Sequence, residues 1–282
     1  MAPARSDGGL LSFLYGTVPG RMLLRPLVSR GVSKAVGRFM DSGLSRGLIP
    51  RFIRVNRIDM SDYRQETYGS FNAFFTRRIK PERRPIDSAP EHFIAPCDGR
   101  LSVFPIEDDS VFGIKNSRYT VSDLLGGDAR ASEFAGGLCL VFRLCVDDYH
   151  RYHYPDSGSK GSSRFIPGVL HTVRPIALAH TPVFIQNCRE YTFLETDHFG
   201  SIAQIEVGAL LVGKISNHNQ SARFRRGEEK GMFLYGGSTV VLLIKKDAVM
   251  PDERFRIAED GEEIRVKLGE KIGVSMTGGK NA

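Results

Sequence analysis

Residues 233–244 read FLYGGSTVVLLI, an apolar run interrupted near its start by Gly236, Gly237, Ser238 and Thr239. Apolar residues stand on both sides of this group, so that a hydroxyl pair, Ser238 and Thr239, falls between two would-be strands. A glycine before a serine frees the backbone for conformations that other residues resist, including those that bring the hydroxyl onto its own preceding carbonyl. The plain structural reading is a glycine bulge in a buried strand. GxSxG is absent, so the nucleophile elbow of α/β-hydrolases does not apply.

Outward from this stretch the same texture continues. From about residue 94, short runs rich in Val, Ile, Leu and Phe alternate with Gly, Asp, Asn and Ser. Strands are expected over 138–146, 168–173, 181–185, 191–194, 201–215 and 235–245. Residues 1–50 differ. They hold seven Arg and Lys against only Asp7 and Asp41, with Leu24, Leu27, Val28, Val32, Ala35, Val36, Phe39 and Met40 at roughly helical spacing. This predicts one or two basic amphipathic helices, which either pack on their own domain or lie on anionic lipid. The fold class is α+β: N-terminal amphipathic helices, then a β-rich catalytic domain of short, mostly antiparallel strands. The division is drawn at 1–70 for a membrane-docking region and 71–282 for the β-rich domain.

Composition narrows the function. The 282 residues are 41% hydrophobic and 25% charged, enough apolar material for a sizeable core. A net charge of +7 favours an anionic partner. The longest early apolar run, Leu10–Tyr15, is too short to cross a bilayer, and no transmembrane anchor is expected. Cys97, Cys139, Cys145 and Cys188 form no CxxC pair, which points to reduced thiols in a cytosol-facing compartment.

Two further polar islands carry candidate chemistry. In APCDGR (95–100), Asp98 precedes a glycine, which turn chemistry alone explains. In VDDYHRYHYP (146–155), His150 and His153 stand three apart. On a helix they would share a face, but no HExxH pattern or cysteine cluster completes a metal site, and none is expected. Asp98, His153 and Ser238 together supply acid, base and nucleophile, although spacing does not settle whether they meet.

In order along the chain, FNAFFTRRIKPERRPID (71–87), APCDGR, FGIKNSRYTVSDLLG (112–126), VDDYHRYHYPDSG (146–158), PGVLHTVRP (167–175), IAQIEVGALLVGKI (202–215) and GEEKGMFLYGGSTVVLLI (227–244) resemble the phosphatidylserine decarboxylases. The resemblance runs from about residue 41 to 249, and Gly-Gly-Ser-Thr is similar to one variant of the family's self-cleavage motif. It implies that the chain breaks itself between Gly237 and Ser238, giving a β-chain 1–237 and an α-chain 238–282 that stay together as a heterodimer. Ser238 then becomes a pyruvoyl group, the one cofactor. The resemblance further implies a Schiff base between that group and phosphatidylserine, release of CO2 and formation of phosphatidylethanolamine. It assigns Asp98, His153 and Ser238 to self-cleavage and His150 to protonation or carboxylate positioning in the decarboxylation. A pyruvoyl-dependent decarboxylase of another amino acid or phospholipid head group is the alternative. The expected partner is phosphatidylserine in an anionic membrane surface, with peripheral attachment at the cytoplasmic face; a homodimer is a further option, and nucleic acid is not expected.

Overall fold

The computed structural model describes residues 9–114, 117–209, 215–218, 222–235, 238–255 and 263–276. About 30% of the chain is helical and 33% is strand. Helices come first, at Gly9–Gly16, Val18–Leu27, Arg30–Asp41 and Ile49–Asn56. Sequence reading expected one or two helices there. Local capping divides the region more finely: Thr17 accepts the Gly20 N–H and Ser29 accepts that of Val32, so each hydroxyl starts a new helix. No helix among the described residues is long and apolar enough to cross a membrane.

A nine-stranded sheet forms the middle of the molecule. Its order is Arg223–Phe224, Gly158–Lys160, Arg189–Thr196, Gly200–Val207, Ser238–Ile244, Leu138–Leu144, Gly99–Pro105 and Ile264–Val266, with Arg164–Ile166 also pairing alongside Arg189–Thr196. Every pairing between these strands is antiparallel. Ser238–Ile244 lies at the centre, bonded to Gly200–Val207 on one side and Leu138–Leu144 on the other. All seven of its residues are buried.

That burial explains the unbroken aliphatic run. Val241 and Leu243 face one core with Ala203, Ile205, Cys139 and Val141, while Val240, Leu242 and Ile244 face a second core with Ile202, Leu140 and Phe142. Alternate side chains point to opposite faces, and here neither face is wet. Leu14, Tyr15 and Leu24 of these helices, with Val28 just past the end of the second, are buried in the first core. The N-terminal helices therefore pack on the sheet, and Val28 accepts the Leu170 N–H at 3.1 Å.

Among the described residues three smaller sheets complete the frame: Ile215–Asn217, Glu229–Phe233 and Arg151–His153 in one, His92–Ile94, Lys271–Ser275 and Val249–Pro251 in another, and the pair Val111–Ile114 and Ser117–Thr120 in the third. A third cluster gathers Phe71, Phe74, Phe75, Tyr63 and Tyr149 around the short Phe71–Phe75 helix.

Two expected strands are corrected. Within 181–185 the chain forms the helix Val183–Gln186, with Pro182 at its N-cap. A short apolar run has no periodicity to separate strand from buried helix, and the proline favours a helix start. Residues 168–173 join no sheet; only an isolated parallel bridge links Val169 to Asn187. The expected 201–215 strand ends at Val207, and residues 210–214 lie outside the described ones.

Candidate active site

Ser238 opens the central strand, paired with Leu144, and is fully buried. Its side chain shares a face with Val240 and Leu242 by strand alternation. The hydroxyl has no hydrogen-bond partner among the described residues, and the same holds for Thr239 on the opposite face. An unpaired buried hydroxyl costs about 1–3 kcal/mol, so packing alone gives no reason to keep a serine here. Gly236 and Gly237 lie outside the described residues.

The approach to Ser238 is clamped by the Phe71–Phe75 helix. Tyr235 donates its N–H to Asn72 Oδ1 at 2.9 Å, and Asn72 Nδ2 donates to Asp41 Oδ1 at 2.8 Å. The Tyr235 ring meets Phe71 and Phe75 edge-on, with centroids 4.9 and 5.3 Å away.

Phe75 leads to His150. The two rings lie 4.0 Å apart, and His150 is fully buried. His150 Nδ1 lies 2.9 Å from the Asp148 carbonyl, which can only accept, so Nδ1 carries the proton and Nε2 keeps its lone pair. That Nε2 has no partner among the described residues. Burial, and then the Arg77 guanidinium, push the ring's pKa down to about 3. It is a neutral base at physiological pH.

His153 belongs to the Arg151–His153 strand, so its three-residue spacing from His150 reflects extended chain and not one helical face. His150 lies against Phe75, His153 against Tyr149 at 6.1 Å. Burial lowers the His153 pKa to about 4, with the charges of Glu229 and Asp98 pulling it back and Arg151 opposing them. Its Nδ1 is unpartnered among the described residues.

The backbone ties these groups together. His153 donates its N–H to the Pro96 carbonyl at 2.8 Å, which holds the Asp98 loop beside the strand, and Phe233 donates to the His150 carbonyl at 3.0 Å. The Glu229–Phe233 strand thus runs along the histidine strand before the chain continues to Ser238. No hydrogen bond among the described residues joins Ser238 Oγ to either ring. Nor does Asp98 bond His153. Its Oδ1 accepts Arg84 Nε at 2.7 Å and the Leu268 N–H at 2.9 Å, and its Oδ2 accepts Arg84 Nη2 at 2.5 Å.

Sequence reasoning passed over Arg84, Asn72 and the fully buried Lys230–Glu206 pair, where Nζ donates to both carboxylate oxygens at 2.8 Å. Arg84 sits in a basic run, ERRP, that looks solvated in one dimension; only its placement against Asp98 singles it out. No group of three or more His, Cys, Asp or Glu that could hold a metal occurs among the described residues.

Fold and site define an α+β protein with a buried serine at the start of a central strand and two buried histidines on and beside a neighbouring small sheet. A family model, phosphatidylserine decarboxylase, matches residues 71–274. The chain belongs to the phosphatidylserine decarboxylase family. It is 46% identical over 267 residues to phosphatidylserine decarboxylase proenzyme 2 of Clostridium acetobutylicum, covering 94% of this chain and 91% of that one. It is 40% identical to the phosphatidylserine decarboxylase proenzyme of Ruminiclostridium cellulolyticum, covering 95% and 92%. Identity to the proenzyme of Clostridium perfringens is also 40%, covering 93% and 92%.

Proposed function

We propose that this protein decarboxylates phosphatidylserine to phosphatidylethanolamine after cleaving its own chain between residues 237 and 238. The observation that carries the reading is the Ser238 hydroxyl, fully buried and without a partner among the described residues, at the start of the central strand. Its relatives' names, all decarboxylase proenzymes, support it.

A serine hydroxyl is a weak nucleophile at neutral pH, and a positioned base contributes about 10²–10⁴-fold. His153, kept neutral by burial, takes the Ser238 proton as Oγ attacks the carbonyl carbon of residue 237. The amide C–N bond then breaks and an ester replaces it. Removal of the Ser238 α-proton expels the carboxylate of residue 237, leaving a dehydroalanine. Water converts that residue to a pyruvoyl group with loss of ammonia. Asp98 serves this step by stabilising the charged ring, as the acid does in a serine–histidine–aspartate triad.

The buried Ser238 position fits such a group: it is enclosed, apolar on the Val240 side, and its hydroxyl has no hydrogen-bond partner among the described residues. When formed, the pyruvoyl group supplies the electron sink for CO2 loss. Around it His150 Nε2 holds or returns the proton, and Phe75 and Tyr235 exclude water.

The helical N-terminus supplies the docking surface in this reading. Leu10, Val18, Met22 and Leu23 are 58–70% exposed on the same two helices whose Leu14 and Leu24 are buried, and Arg21 and Arg25 stand among them. Exposed aliphatic groups beside arginines suit an anionic membrane surface, each nearby Arg adding about 1 kcal/mol.

Intact mass spectrometry of fresh protein beside Ser238→Ala tests the proposal. Two chains dividing after residue 237, the smaller lighter than its serine form by one ammonia, are expected. A folded wild-type chain that stays whole overturns it.

A further inference from the structure

Beside Asp98 opens a cavity of about 580 Å³ lined by Arg83, Arg84, Arg265, Lys267 and Lys271 against the two acids Asp87 and Glu270. Both acids are already engaged, Asp87 with His92 Nδ1 at 2.9 Å and Glu270 with Arg254 and the Lys267 N–H. Three of the cations are engaged as well, Arg83 with Asp62 at 2.5 Å, Arg84 with Asp98 and Lys271 with Asp252 at 3.4 Å, which leaves Arg265 and Lys267. Lys267 has no acidic partner among the described residues, and Arg265 is 67% exposed with Asp148 no closer than 3.5 Å. Ile86 and Leu268 give the cavity an apolar strip next to this excess of positive charge.

Arg84 lines the cavity, and its guanidinium is paired with Asp98. Only 8% of the Arg84 side chain and 7% of the Asp98 side chain are exposed, and the fork of Arg84 occupies both carboxylate oxygens. Meanwhile the Asp98 charge raises the pKa of the His153 ring, whose Nδ1 has no partner among the described residues. Asp98 therefore meets arginine where the self-cleavage reading needs it to meet histidine.

We propose that this cavity binds a phosphate group through Arg265 and Lys267, and that its occupancy draws Arg84 from Asp98 and frees that carboxylate for His153. Arg84 is the positioning residue of the pair. A guanidinium pairs with phosphate as readily as with carboxylate, and an anion that engages Arg84 in only one of its two positions shifts the balance between them. The phosphate can belong to a lipid head group or be free. The binding step stands by itself; the coupling rests on the self-cleavage reading.

The first measurement is calorimetric titration of full-length Ser238→Ala with inorganic phosphate and with a short-chain phosphatidylglycerol below its micelle concentration. Saturable binding is expected, weakened about tenfold in Arg265→Ala/Lys267→Ala, whose side chains are exposed, and unchanged in Lys246→Ala outside the cavity. No saturable binding of either probe, or equal binding by the double variant, overturns the site. Free phosphate that displaces the lipid probe shows that phosphate is what is recognised; lipid binding that phosphate cannot displace overturns it. The second measurement follows cleavage of fresh wild-type chain by intact mass. Phosphate should speed it about threefold or more, and much less in the double variant. Binding without acceleration removes the coupling through Arg84. A chain that never cleaves sinks the self-cleavage reading and the coupling with it, while the binding result stands.

Discussion

Asn72 Oδ1 accepts the N–H of Tyr235 at 2.9 Å, fastening the last described residue before the Ser238 strand to a helix 163 positions earlier in the chain. Asn72 is 5% exposed and Asp41 holds its other end, so its amide is fixed in one orientation. Asn72→Ala leaves a buried N–H unpaired and costs about 1–3 kcal/mol. Self-cleavage should slow by about tenfold while the fold is kept, as a misplaced nucleophile loses rate steeply. A mass time course beside a thermal melt checks it; an unchanged rate would show that the clamp is structural only.

Histidine burial sets a pH dependence with a definite sign. His150 and His153 have folded pKa values near 3 and 4 against 6.5 for an ordinary histidine. Below 6.5 the unfolded chain takes up protons that the folded chain refuses, so stability falls with pH from about 6.5 to about 4, by up to about 1.4 kcal/mol per unit for each ring. Asp148 works the other way. Burial raises its pKa to about 6, so it contributes stability at low pH that is lost as pH rises from 3.8 to 6. Two histidines against one aspartate leave a net loss on acidification. Urea melts of Ser238→Ala at pH 7, 6 and 5 should show it, with a shallower slope in His153→Gln.

The same neutral rings predict an acid-tolerant maturation. Self-cleavage should hold its rate down to about pH 5 and decline only nearer the folded pKa of His153, about 4. An inflection at 6.5 would mean that the base is a solvated histidine, not this one.

Lys230 and Glu206 are 1% and 0% exposed in their side chains and have each other, with Asn217 completing the group. Lys230→Met strands a buried carboxylate and should cost about 3–5 kcal/mol, whereas Lys230→Met with Glu206→Leu should recover most of it. Denaturant midpoints of the two singles and the double close the cycle; independent, additive losses would contradict the pairing.

Met22 and Leu23 are 66% and 59% exposed on a helix whose Leu24 is buried. Met22→Glu/Leu23→Glu should weaken sedimentation with phosphatidylserine vesicles by about tenfold or more, through about 1.5 kcal/mol or more of lost apolar contact, and leave self-cleavage intact. Equal loss of both would place these residues in the folded core. Point changes are the informative test because Leu14, Tyr15 and Val28 of the same region already belong to that core.

What could be read from the sequence was what is local. The apolar run after Ser238 announced a buried strand, and the spacing of Leu24, Val28 and Val32 announced helices. Residues 181–185 misled because a short apolar run has the same composition in a strand as in the Val183–Gln186 helix. Arg84 and Asn72 were illegible for a different reason: their partners are 14 and 163 residues away, and only tertiary folding brings them within hydrogen-bond reach. His150 and His153 stood out as types, but whether they shared a helical face depended on the strand Arg151–His153, which pairs with residues almost 80 positions later.

The position of Ser238–Ile244 has a last consequence. The proposed break would free a 45-residue piece, 238–282, whose strands are interleaved with the rest: Ser238–Ile244 mid-sheet, Ile264–Val266 along Gly99–Pro105, and Lys271–Ser275 along His92–Ile94. Such a nick severs the backbone without giving either fragment an exit. The new chain end would lie in the interior, where no external protease reaches, so only a chain that has already folded can make it.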